Sequence, residues 1–123
     1  MLKVLIADDH PLFVQALEAI LATDPRVRVV GNARNGREAV DLARVLAPDV
    51  VLMDISMPIL DGIEAARELQ DGHSAIRILM LTGSNSSADV ERSREAGAAG
   101  YVTKDRIAQE LIAAIVEVAG RLS

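Results

Sequence analysis

The stretch Val50-Val51-Leu52-Met53-Asp54-Ile55-Ser56-Met57-Pro58-Ile59-Leu60-Asp61-Gly62 decides how this chain folds. Four apolar residues lead straight into one carboxylate. A short apolar run bounded by turn residues reads as a strand buried on both faces, as in a parallel sheet. Asp54 then stands where that strand ends. In open α/β sheets the carboxyl ends of the strands form the ligand crevice. Met57-Pro58 forces an extended connection, because the residue before proline is pushed out of the helical region. Asp61-Gly62 opens the next helix, with Asp61 as N-cap and Glu64 at its third position.

The same alternation runs outward in both directions. Leu2 to Ala7 is an apolar strand that ends in Asp8-Asp9-His10-Pro11. Proline suits a first helical turn, so a helix follows from Leu12 to Ala22. Its expected apolar face is Leu12, Phe13, Ala16, Leu17, Ile20 and Leu21. Val27 to Val30, interrupted by Arg28, is expected as a short edge strand. Asn35 caps the next helix with Glu38 at N3, and Ala39, Val40, Leu42, Ala43 and Leu46 form its buried face. Beyond the helix from Gly62 to Leu69, Ile76 to Leu81 is a strand that delivers Thr82. Ser86 caps a helix in which Val90 is the single large apolar residue, and Gly97 closes it. Ala99 to Thr103 is the last strand and ends in Lys104. Asp105 caps the final helix, which Gly120 ends. Five βα units in a row imply a parallel five-stranded sheet with helices on both faces.

Composition limits what this sheet can do. The chain has 123 residues, which suits one core. Half of them are hydrophobic, yet Phe13 and Tyr101 are its only aromatic residues, so the core is aliphatic. The net charge is −5. No basic stripe is present, so this segment is not expected to bind nucleic acid. There is no cysteine, which excludes disulfides and thiol catalysis and fits a cytoplasmic protein. No apolar run approaches membrane-spanning length. Neither a Walker-type loop nor a dinucleotide fingerprint occurs.

Four of the five expected strands end in a charged or reactive group: Asp8-Asp9, Asp54, Thr82 and Lys104. Neighbouring strands would bring these to one rim. Two carboxylates at about 4 Å repel by roughly 4 kcal/mol at an effective dielectric near 20. A proton, a cation or Lys104 must offset that repulsion. Carboxylates suit Mg²⁺, which keeps its waters and takes phosphate oxygens as partners. An Asp beside a cation and a lysine is a nucleophile for phosphorus, with Thr82 as a hydroxyl donor to the transferred group.

With Asp8-Asp9, Asp54 in Met53-Asp54-Ile55-Ser56-Met57-Pro58, Asp61-Gly62, Thr82, Tyr101 and Lys104 in this order, the whole chain resembles the receiver domain of two-component response regulators. The resemblance implies the flavodoxin-like (βα)5 three-layer sandwich with strand order 2-1-3-4-5. It implies that Asp54 accepts a phosphoryl group from a histidine kinase. Asp8, Asp9, Asp54 and the Ser56 backbone carbonyl would hold Mg²⁺, Thr82 and Lys104 would contact the phosphoryl oxygens, and Thr82 and Tyr101 would form the switch. Ser56 and Ser84 would influence hydrolysis of the phosphoryl group. The chemistry implied is autophosphorylation from a phosphodonor and slow self-dephosphorylation, not enzymatic turnover.

Ala96-Gly97-Ala98-Ala99-Gly100-Tyr101, Lys104-Asp105 and Leu111-Ile112-Ala113-Ala114-Ile115 resemble the NarL/LuxR-type subfamily, whose receivers usually precede a helix-turn-helix domain. Residues 1–119 are then expected to be the receiver, and 120–123 the start of a linker to an effector domain that would carry DNA binding. His10 could approach the site, but the favoured reading is a surface residue at a helix start, and His73 is read as a solvent-exposed turn residue. Homodimerisation on phosphorylation is expected, through Ile112 and Val116 with a Val14, Leu17, Leu21 row, or through the fourth helix, fifth strand and fifth helix; the equal alternative for the two rows is that they are the rims of wide core faces. Two other classes compete. An aspartyl-phosphate hydrolase of the haloacid dehalogenase type would carry Asp-x-Asp after the first strand, where this chain has Asp8-Asp9-His10. A phosphorylation-independent interaction module would have no need of the intact acidic set with Lys104.

Overall fold

Every residue of Val50–Asp54 is buried in a computed structural model that describes residues 1–71, 75–83 and 87–120. The elements are β1 (Leu2–Ala7), α1 (Pro11–Leu21), β2 (Val27–Ala33), α2 (Gly36–Leu46), β3 (Val50–Asp54), α3 (Gly62–Asp71), β4 (Arg77–Thr82), α4 (Ser87–Glu95), β5 (Gly100–Thr103) and α5 (Ile107–Gly120). A 3-10 turn, Lys104–Arg106, joins β5 to α5. All strand pairs are parallel and the order is β2-β1-β3-β4-β5. The expected three-layer architecture is therefore present.

Side chains alternate across a strand, and both faces here are apolar. Val4, Ile6, Val50, Leu52, Leu79, Leu81 and Val102 meet α1 and α5 through Leu17, Leu21, Leu111 and Ile115. Leu5, Ala7, Val51, Met53, Ile78 and Met80 meet α2 and α3 through Val40, Ala43, Ile63 and Leu69. The chain leaves β1 for β2 on one side and returns to β3 on the other. That reversal opens a crevice at the carboxyl ends of β1 and β3.

Local chemistry holds the crevice loops. Glu38 N–H donates to Asn35 Oδ1 at 2.8 Å, and Glu64 N–H donates to Asp61 Oδ1 at 2.9 Å, so both expected caps are present. The loop after β3 is gripped at both ends: Gly36 N–H donates to Leu60 O and Gly62 N–H to Ile55 O, each at 2.8 Å. A Cβ on Gly62 would lie 2.1 Å from the Asp54 carbonyl oxygen. Only glycine allows the helix start to approach the end of β3 so closely.

Three expectations are corrected. On α1, Val14, Leu17 and Leu21 are the buried residues, whereas Leu12 is 81% exposed. This helix is apolar nearly all round, so its pattern does not single out one face. Val14, Leu17 and Leu21 are thus core residues and not a free row for a dimer. Secondly, β2 runs on to Ala33, because Gly31, Asn32 and Ala33 pair with Leu5, Ile6 and Ala7 past an irregularity in register. Pairing with a central strand overrides their weak strand propensity. Thirdly, Asp105 sits inside the 3-10 turn and not immediately before α5. Helix α4 has Ser93 as its one buried residue, as its weak pattern implied. His73, Ser84, Ser86 and residues 121–123 lie outside the described residues.

Candidate functional site

The rim of the sheet gathers the strand-end groups. Asp8 follows β1, Asp54 ends β3, Thr82 ends β4 and Lys104 follows β5. Lys104 Nζ lies 3.3 Å from Asp8 Oδ2 and 3.4 Å from Asp54 Oδ1. The Ser56 N–H donates to the same Asp54 oxygen at 3.4 Å. Asp54 Oδ2 is buried and has no hydrogen-bond partner among the described residues. The two oxygens of one carboxylate thus meet different surroundings: Lys104 and an N–H on one side, a buried position facing the His10 ring on the other.

His10 belongs to this cluster, the alternative to its favoured reading as a surface residue at the helix start. Its ring is largely exposed, yet Nδ1 lies 2.8 Å from Asp8 Oδ1, 3.2 Å from Asp9 Oδ1 and 3.8 Å from Asp54 Oδ2. Ligand atoms of Asp8, Asp9, His10 and Asp54 all lie within 4.8 Å of one another. The hydrogen bond to Asp8, aided by the charges of Asp8 and Asp9, holds the His10 pKa above its ordinary value. Burial, and then the Asp8 charge, push the Asp54 carboxyl above the usual carboxylate range, against the pull of Lys104 and the Ser56 N–H. A crowded acidic pocket whose buried Asp54 Oδ2 accepts no hydrogen bond among the described residues fits a hard divalent cation, which prefers oxygen ligands.

Thr82 is buried beside this rim. Tyr101 is not in the pocket. It is 44% exposed and lines a cavity of about 450 Å³ with Val90, Ser93 and Arg94 of α4. Sequence reasoning also missed Phe13, whose ring centroid lies 4.5 Å from Lys104 Nζ. The available signal was its place one helical turn beyond Asp9 in a chain nearly free of aromatic residues.

A parallel sheet of this order, with a strand-end carboxylate flanked by an acidic pair and a lysine, defines a receiver domain. A family model of the response regulator receiver domain matches residues 4–116. The response regulator GacA of Pseudomonas aeruginosa is 41% identical over 118 residues, covering 96% of this chain and 55% of that protein. The transcriptional regulatory protein LnrK of Bacillus subtilis is 36% identical over 118 residues, covering 96% of this chain and 54% of that protein. The signal receiver domain of the response regulator NarL from Mycobacterium tuberculosis superposes with a TM-score of 0.93 at 33% identity, covering 97% of this chain and 96% of that one.

The chain belongs to the response regulator receiver domain family of two-component signalling. It is a signalling receiver domain. It spans about half the length of the two full-length relatives. No helix among the described residues is long and apolar enough to cross a membrane.

Proposed function

We propose that Asp54 accepts a phosphoryl group from a phosphohistidine of a histidine kinase. The observation that carries this reading is the divided environment of the Asp54 carboxylate, with Oδ1 beside Lys104 and Oδ2 buried without a hydrogen bond among the described residues, 3.8 Å from His10 Nδ1. In the transfer, an Asp54 oxygen forms a bond to phosphorus while the N–P bond to histidine breaks, and the leaving imidazole takes up a proton. Lys104 neutralises charge on the phosphoryl oxygens. The Thr82 hydroxyl donates to one of them, as the positions of Thr82 at the end of β4, next to β3, and of Lys104 just after β5 favour. Asp8, Asp9, Asp54 and the Ser56 carbonyl would hold Mg²⁺, which supplies positive charge that offsets the crowded carboxylates.

The response then spreads through Thr82 at the end of β4 to α4, whose thin packing makes it the element to move. Tyr101, next to α4, turns inward as that helix shifts. In the whole protein the readout is a change in self-association and in a DNA-binding output domain after residue 119, as the transcriptional relatives suggest, and the protein works in the cytoplasm.

The test uses acetyl phosphate as donor with intact-mass detection. One phosphoryl group should add in the presence of Mg²⁺, and none to Asp54→Asn. Labelling that persists in Asp54→Asn moves the acceptor elsewhere. Repeated turnover of phosphate esters would make the domain a hydrolase. No labelling under any condition would make it a passive interaction module.

A further inference from the structure

Phe13 stands where the phosphoacceptor reading gives it no task. It is the third residue of α1, half-buried against the core shared with α5. Its ring faces Lys104 Nζ at 4.5 Å from the centroid. That separation lies well inside the roughly 6 Å over which a cation is drawn to an aromatic face. Lysine is a point charge on a flexible stem, so something must define where its ammonium rests.

The carboxylates do this only partly. Asp8 Oδ2 at 3.3 Å and Asp54 Oδ1 at 3.4 Å attract Lys104. A divalent cation held by those same carboxylates would weaken their attraction for Lys104. The quadrupole of the ring keeps its attraction whether or not the carboxylates are neutralised. The ring therefore matters most in the loaded pocket, where transfer takes place.

We propose that Phe13 is a positioning residue for Lys104: its ring holds the ammonium on the α1 side of the pocket, ready for the phosphoryl group on Asp54. This rests on the reading of Asp54 as the acceptor. Leucine at position 13 would still pack against the core but would offer no π-face, whereas tryptophan would offer a larger one. The two substitutions thus separate packing from cation–π attraction.

The experiment combines resonance shifts with labelling rates on the whole chain at saturating Mg²⁺. The ε-methylene protons of Lys104 should be shifted upfield by the ring in the wild type and in Phe13→Trp, and should lose that shift in Phe13→Leu. Labelling by acetyl phosphate should slow about three- to tenfold in Phe13→Leu, and stay near wild type in Phe13→Trp. In a Lys104→Met background, Phe13→Leu should change nothing further.

An unshifted Lys104 resonance in the Mg²⁺-saturated wild type overturns the proposal. So does a wild-type rate in Phe13→Leu, or equal slowing with and without Lys104. If the wild type takes no label on Asp54, the acceptor reading fails instead, and the resonance still decides whether Phe13 holds Lys104.

Discussion

Lys104 reaches across the end of β4 to place its ammonium 3.4 Å from Asp54 Oδ1. Thr82 ends the strand that lies between them. One cation, one carboxylate and one buried hydroxyl thus occupy the ends of three successive strands. The charges do not balance, since Asp8, Asp9 and Asp54 face Lys104 and the exposed ring of His10.

That imbalance makes a stability prediction. Burial and the Asp8 charge both disfavour ionised Asp54. Asp54→Asn, which keeps the shape and removes the charge, should raise the stability of the metal-free protein at pH 7 by about 1 kcal/mol. Thermal unfolding in the presence of a chelator measures it. A lower melting temperature in the variant would mean that the Lys104 pair outweighs the cost of burying the charge.

Gly62→Ala should act on the same residue through the backbone. The added Cβ would lie 2.1 Å from the Asp54 carbonyl oxygen, so β3 or α3 must shift. A loss of about 3 kcal/mol is expected in urea unfolding, together with slower labelling of Asp54. Gly120→Ala, where a Cβ meets open space, is the control and should not destabilise. A Gly62→Ala protein as stable as wild type would show that the loop tolerates the displacement.

Thr103 offers a gain. It pairs in register with Thr82, and its buried Oγ1 has no hydrogen-bond partner among the described residues. Valine has the same shape without the hydroxyl. Thr103→Val should therefore stabilise the fold by about 1 kcal/mol, read from the urea midpoint at an unchanged slope. Destabilisation would mean that the hydroxyl makes a bond in solution.

Asp24 carries a pH dependence away from the site. Hydrogen bonds from the Arg26 side chain and backbone lower its pKa to about 2. A depressed carboxylate contributes stability above its unfolded value, near 3.9, and loses it as pH falls through the folded value. Asp24→Asn should thus be less stable than wild type at pH 7, with the gap closing between about pH 4 and pH 2. A gap independent of pH would tie the effect to shape and not to charge.

Much of the fold was legible in local pattern. The apolar runs before Asp54 and Thr82 could bury both faces only in a parallel sheet. Asn35 and Asp61 carried their caps in the three residues that follow them, and both bonds form. The strand-end groups were legible for the same reason, since a strand delivers its last residue to the rim. The face of α1 was not legible, because a helix apolar nearly all round has no preferred side until a sheet is laid against it.

By itself the sequence determined the order of elements and the residue types at each strand end, because helix and strand periodicities are local properties of the chain. Only the tertiary structure decided which atoms meet. Lys104 and Asp8 stand 96 residues apart, and they touch because crossovers set β3 between β1 and β4, with β5 beyond. His10 joined the carboxylates, Phe13 met Lys104 and Tyr101 was left outside the pocket. Each of these contacts depends on how separate elements pack, and no spacing along the chain encodes that distance.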